Sequence, residues 1–171
     1  MPDLIVFSGL PGVGKTTLAK GLAQHFGILL IRIDTVEQAY LRSLYKPLEV
    51  GDVGYVAAHA LAIENLILGN SVIVDAVHQY AFTRTEWERI SEKTGANLLQ
   101  VNVICSDQNE HRHRVESRTV DIEGQAIPTW QQVLERDWEP FENPHLTIDT
   151  SVDDVERSIS TVIQHISQPI A

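Results

Sequence analysis

The chain has 171 residues, of which 43% are hydrophobic and 21% charged, the size and balance of a single globular domain spanning 1–171. Lys and Arg number 13 against 23 Asp and Glu, so the formal charge is −10; this argues against a nucleic-acid binder built on phosphate contacts but leaves room for a cationic pocket that holds one small anion. The longest apolar runs, such as residues 4–7, are far short of the ~20 needed to span a bilayer, the N-terminus lacks the cationic stretch of a secretory signal, and Cys105 has no partner for a disulfide, so a reducing cytoplasm is expected.

Residues 3–8 are mostly branched and apolar and run into a glycine-rich turn, the pattern of a buried parallel strand. A helix over 15–26 follows, with Leu18, Leu22 and Phe26 at four-residue spacing and Gly27 as its stop. Residues 28–33 form the next apolar run and end at Asp34. The spacing then predicts a helix over 53–68 with Val56, Ala60, Ile63 and Ile67 on one face, closed by Gly69 and Asn70, and a third strand over 71–75. Thr83 and Glu86 have capping-box spacing ahead of a helix carrying Trp87 and Ile90, and a fourth strand covers 98–104. Asp107 and Glu110 repeat the start signal, and residues 119–128 are polar and irregular around Gly124, a pattern that suits a mobile flap as well as an ordinary loop. Thr129 caps a segment with Trp130, Leu134 and Trp138 four apart, a stripe read as packing. Residues 145–149 make a fifth strand, followed by a helix with Val152, Val155, Ile159, Val162, Ile163 and Ile166 facing inward. Strand then helix, five times, predicts an open parallel α/β sheet covered on both faces.

Gly9-Leu10-Pro11-Gly12-Val13-Gly14-Lys15-Thr16 matches GxxxxGK[ST] at every fixed position, between a buried strand and a helix start. Glycines let the main chain curl so that successive N–H groups point at phosphate oxygens, and the helix N-terminus adds favourable partial charge. Lys15 then reaches the outer phosphates, the Thr16 hydroxyl is placed for Mg²⁺, and Thr17 is the next residue able to touch phosphate. On this motif and the βα units behind it, the chain resembles the P-loop NTPases, in particular the small kinase branch with polynucleotide-kinase-like and chloramphenicol-phosphotransferase-like members. That resemblance implies a three-layer fold with a five-stranded parallel sheet in the order 2-3-1-4-5 and a small lid, about 119–140. It also implies ATP with Mg²⁺ and transfer of the γ-phosphoryl group to a hydroxyl.

Asp34 and Asp75 each follow an apolar strand, at the sheet edge where ligands collect. Asp75 suits the second P-loop motif and a Mg²⁺ ligand, while the resemblance gives Asp34 the role of base toward the acceptor hydroxyl. The two roles can be exchanged, and each Asp also suits a helix N-cap. The polynucleotide-kinase-like proteins carry an Arg soon after this Asp; here Thr35, Val36, Glu37 and Gln38 follow, so an acceptor bearing phosphate is disfavoured. Glu37, Tyr40, Arg42 and Tyr45 are candidates to line a pocket for a neutral or cationic alcohol, though Tyr40, Leu41 and Leu44 read better as a packing face.

Three arginines concentrate at 112–118. Arg114 and Arg118, four apart, can aim together at a triphosphate, as the resemblance implies, whereas Arg112 can pair with Glu116. His111 and His113 read as solvent-exposed rather than as a metal pair, and His59, His78 and His145 show no pattern. Asp121-Ile122-Glu123-Gly124 fits the DxxG of GTP switches, but no buried strand precedes it and no NKxD follows. The expected activity is an ATP- and Mg²⁺-dependent phosphotransferase with a small hydroxyl acceptor; the competing reading is a nucleotide-binding module or plain ATPase.

Overall fold

The computed structural model describes residues 1–44 and 49–166. Its sheet has five parallel strands: β1 (Asp3–Ser8), β2 (Leu29–Arg32), β3 (Val72–Asp75), β4 (Asn97–Ile104) and β5 (Leu146–Asp149). They lie side by side as β2-β3-β1-β4-β5, the order that the resemblance implies. Among the described residues seven helices connect and cover them: α1 (Lys15–Phe26), α2 (Ile33–Leu41), α3 (Val53–Ile67), α4 (Ala81–Thr94), α5 (Gln108–Ser117), α6 (Trp130–Leu134) and α7 (Val155–Ile166). Among the described residues no helix is long and apolar enough to cross a membrane.

The alternation of side chains along a strand divides the interior into two cores. From β1, Leu4 and Val6 face a layer of α3 and α4 with Ala58, Ala62, Leu66, Trp87 and Ile90. Ile5 and Phe7 face the opposite layer, where α1 and α7 supply Leu18, Leu22 and Val162. On β3 the same parity puts Val72 and Val74 in the first core and Ile73 in the second, so Asp75 emerges on the α1 side. Arg32 is the register partner of Asp75 across β2–β3 and therefore shares that side.

Several expected faces differ. On α3 the buried stripe is Gly54, Ala58, Ala62 and Leu66, while Val56 and Ile67 are exposed. Small residues win this face because α3 packs closely on α2: a Cβ on Gly54 would lie 2.6 Å from the Glu37 Cγ and 2.8 Å from the Ile33 Cγ2. Phe26 is exposed at the end of α1, and Leu41 and Leu44 do not form a packing face, Leu44 being 98% exposed. Tyr45 falls outside the described residues. Thr83 lies inside the first turn of α4, its hydroxyl donating to the Tyr80 carbonyl, rather than capping it. Thr129 does cap α6 through a complete capping box with Gln132, but that helix stops at Leu134, so the aromatic stripe to Trp138 never forms. Trp138 and Phe141 instead lie against the guanidinium of buried Arg84, which donates to the Glu139 and Pro140 carbonyls. Val152 and Val155 are exposed, and Val162, Ile159, Ile163 and Ile166 carry the contact of α7.

A buried polar link joins the sheet to α4. The Trp87 indole N–H donates to His78 Nε2 at 2.8 Å, and His78 Nδ1 lies 3.2 Å from the Ser8 hydroxyl. Because an indole can only donate, His78 Nε2 must be the bare nitrogen. Burial holds the ring neutral, its pKa pushed down to about 3 from 6.5. Between those values the unfolded chain binds a proton at residue 78 that the folded chain refuses, so stability falls as pH drops from 6.5, by at most about 1.4 kcal/mol per pH unit. His78→Asn, whose side chain tolerates the positive φ of this position, is expected to flatten that part of the curve in urea titrations at stepped pH. Trp87→Phe is expected to cost about 1–3 kcal/mol at neutral pH by leaving His78 Nε2 without a donor.

Candidate active site

Strands β1, β2 and β3 end at one edge of the sheet, and the turn after β1 crosses it. Gly9 has φ +148, and a Cβ there would lie 2.2 Å from the Val103 carbonyl oxygen, so no other residue fits. Gly14, with φ +97, swings the chain into α1, where the Thr17 N–H turns back to the Gly14 carbonyl at 3.1 Å and the N–H groups of Lys15 and Thr16 come before the helix ladder begins. The turn is backed from outside. His111 Nε2 lies 2.8 Å from the Pro11 carbonyl, and the Thr150 hydroxyl donates to the Val13 carbonyl at 2.8 Å. His111 is buried and meets Trp130 edge to face, contrary to the solvent-exposed reading of its sequence position; His113 is exposed.

The turn and the helix start wall a cavity of about 830 Å³. Pro11, Gly12, Gly14, Lys15, Thr16 and Thr17 line it, whereas Gly9, Leu10 and Val13 support it from behind. Lys15 is 8% exposed and donates from Nζ to the Leu10 carbonyl at 2.9 Å. Burial lowers its pKa, opposed by the carboxylates of Asp75 and Asp34 and assisted by Arg118 and Arg136. A lysine held in this way gains by meeting phosphate, which supplies the negative charge that burial has removed.

Asp75, 5% exposed, accepts from the Thr16 hydroxyl at 2.7 Å, and Arg32 Nε stands 3.6 Å from the same oxygen. Burial raises the Asp75 pKa, while Lys15, Thr16 and Arg32 oppose that rise. A hydroxyl and a carboxylate in contact beside a phosphate-sized cavity are two hard oxygen donors, the set that Mg²⁺ takes when phosphate and water complete its shell. Asp34 stands in the first turn of α2, one residue beyond where the strand was expected to end, and its carboxylate accepts from Gln125 Nε2 at 2.6 Å.

Arg114 and Arg118 both line the cavity but differ in their commitments. Arg114 is held by Glu110 at 2.8 Å and by the hydroxyl and carbonyl of Thr150 at 2.7 and 2.9 Å. No hydrogen bond or ion pair engages Arg118 among the described residues, and its charge is felt at Lys15. Arg112 pairs with Glu116 as expected. Arg136, not singled out in the sequence, faces the cavity from beyond α6 and donates to Gln79 Oε1 at 3.0 Å.

The irregular segment 119–128 is anchored across the site at three points. Asp121 receives both terminal nitrogens of Arg32, at 2.9 and 3.1 Å, and Lys20 Nζ at 2.7 Å. The Arg32 hydrogen bonds, against the cost of burial and with help from Lys20, hold the Asp121 carboxyl well below the usual carboxylate range. Glu123 meets Arg42 at 2.8 Å, and Gln125 reaches Asp34. The one visible signal for this arrangement was Arg32, a charged residue within an apolar strand.

The family model described as "AAA domain" matches residues 4–137, and the chain belongs to that family. A curated relative, the tRNA dimethylallyltransferase 2 of Parabacteroides distasonis, is 25% identical over 114 residues, 61% of this chain and 36% of that protein. The chain thus spans just over a third of the length of the first such relatives. A protein of Aeropyrum pernix described as a probable adenylyl-sulfate kinase is 25% identical over 92% of this chain and 88% of its own. The APS kinase of Mycobacterium tuberculosis, solved in complex with AMPPNP and APS, superposes with a TM-score of 0.71 at 16% identity, covering 98% of each chain. The fold is that of the P-loop kinases.

Asp121→Asn removes the carboxylate that both Lys20 and Arg32 address. Amide hydrogen exchange across 119–128 is expected to accelerate about tenfold, with α1 and the sheet unchanged. Lys15→Ala is expected to weaken ATP binding at least tenfold in titration calorimetry, from the loss of its charge-assisted contact.

Proposed function

We propose that this member of the AAA domain family is an ATP-dependent phosphotransferase acting on a hydroxyl of a small-molecule acceptor. One observation carries the reading: Asp34 lies in a wall shared by the 830 Å³ cavity and a second cavity of about 590 Å³ beside it. Groups held in the two cavities meet at its carboxylate. The near-complete mutual coverage with the Aeropyrum pernix protein supports this reading over one drawn from relatives that the chain spans only in part.

In this reading the backbone N–H groups of Gly12, Gly14, Lys15 and Thr16, with the Lys15 ammonium and the Thr17 hydroxyl, hold the polyphosphate, while Gly9, Leu10, Pro11 and Val13 shape the turn that presents them. Thr16 and Asp75 would hold Mg²⁺, which when bound neutralises charge on the outer phosphates. Asp34 accepts the proton of the acceptor hydroxyl as that oxygen bonds to the γ-phosphorus. The bond from the γ-phosphorus to the bridging oxygen breaks, and ADP leaves with that electron pair. Arg118, with Arg114 behind it and Arg136 at the junction of the cavities, offsets negative charge on the transferring group.

Asp34→Asn keeps the size of the side chain and removes its basicity. Phosphoryl transfer to a stimulating acceptor is expected to fall by ~10² to 10⁴ while ATP affinity stays within a few-fold. Retained transfer would remove Asp34 from the role. ATP turnover that no hydroxyl compound stimulates would instead favour the nucleotide-binding module.

A further inference from the structure

The second cavity is bounded on one side by α2 and on the other by α3 and the start of α4. Among the described residues Asp34, Glu37, Asp52 and Glu86 line it, against a single cationic side chain, Arg136, which already donates to Gln79. His59 adds no charge to offset them, because burial lowers its pKa. Glu86 is partly answered by Arg89 on the next turn of α4. Glu37 has no hydrogen-bond or ion-pair partner among the described residues, and it sits half-buried in the wall common to both cavities. Burial, and then the neighbouring Asp34 carboxylate, raise its pKa, the state of an acid that lacks its counter-charge.

The position of Glu37 is built into the backbone. Gly54 lies against it, and a Cβ there would fall 2.6 Å from the Glu37 Cγ and 2.9 Å from its Oε1. Asp34 and Glu37 are three residues apart on α2, so their Cβ atoms are about 5–6 Å from each other on one helix face. Tyr55, Tyr80 and Phe82 supply aromatic surface to the same cavity, Tyr80 and Phe82 stacked at 5.6 Å between centroids. Aromatic faces and an unpaired carboxylate both attract an organic cation and gain nothing from an anion.

We propose that the acceptor is an amino alcohol, whose hydroxyl meets Asp34 and whose protonated amine, two or three atoms away, meets Glu37 beside the aromatic wall. This rests on the phosphotransferase reading and narrows it. Acceptors bearing phosphate or carboxylate groups are excluded by the same charges. The protonated amine supplies the cation that Glu37 lacks, and its distance from the hydroxyl selects which oxygen is phosphorylated.

The test is ATP consumption by the full chain with Mg²⁺ against matched compounds. Glucosamine is set beside glucose and glucose 6-phosphate, and 2-amino-1-phenylethanol beside 1-phenylethane-1,2-diol and mandelate. The amine of each set is expected to give a KM at least tenfold below its neutral partner, with no stimulation by the anion. Glu37→Gln, which keeps shape and removes charge, is expected to erase that preference by raising the KM of the amine while that of the neutral partner moves less than threefold. Calorimetry of each amine with the wild-type chain and a non-hydrolysable ATP analogue reads the same contact without a variant, as binding that weakens when salt is added. Neutral or anionic members that serve as well as the amines, or a preference that survives Glu37→Gln, would overturn the amine assignment and leave phosphoryl transfer standing. Failure of every member, with ATP still bound, would overturn both.

Discussion

Everything at the site depends on how closely the main chain passes itself at Gly9. The Val103 carbonyl occupies the place a side chain would need, so the turn can follow β1 only if that residue has none. The tight path carries the chain through Gly12 and Gly14, each at positive φ, into the first turn of α1, where free N–H groups gather. His111 and Thr150 then engage the outward carbonyls of the turn, which settles which way its peptide units face. The turn is thereby braced in one shape, and in the proposed function little entropy would be left to lose when it receives an anion.

Around this turn the protein places charge with little redundancy. Asp75 and Lys15 are both nearly enclosed, and each moderates the cost of burying the other. Arg32 stands between two carboxylates, Asp75 beneath the turn and Asp121 in the covering segment. One guanidinium therefore couples the floor of the cavity to its cover. The net charge of −10 is compatible with phosphate binding because the cations that matter converge here.

Architecture was legible because it rests on long patterns. Five apolar strands, each followed by a helix, leave few topologies, and the strand order came from the resemblance that the GxxxxGK[ST] turn carries. Faces of helices were less legible, since large apolar residues look like core until the partner is known. On α3 the distance to α2 selects Gly54, Ala58 and Ala62 over Val56 and Ile67, a choice made by tertiary packing and not by hydrophobicity. The histidines failed for a related reason. His78 and His111 are buried because partners on other elements, Trp87 and Ser8 for the one and the Pro11 carbonyl for the other, meet their ring nitrogens, and no local spacing announces a partner nine, seventy or a hundred residues away. The same blindness applies to Gln125 and Arg136, which reach the cavities from a segment without regular structure.

The amide of Gln125 sits on a carboxylate oxygen of Asp34. That contact ties the segment 119–128 to the carboxylate that the proposed transfer uses. A carboxylate has acceptor sites to spare, so a hydroxyl can meet Asp34 with the amide still in place. The cover and its visitor thus share one anchor, and neither has to leave for the other to settle.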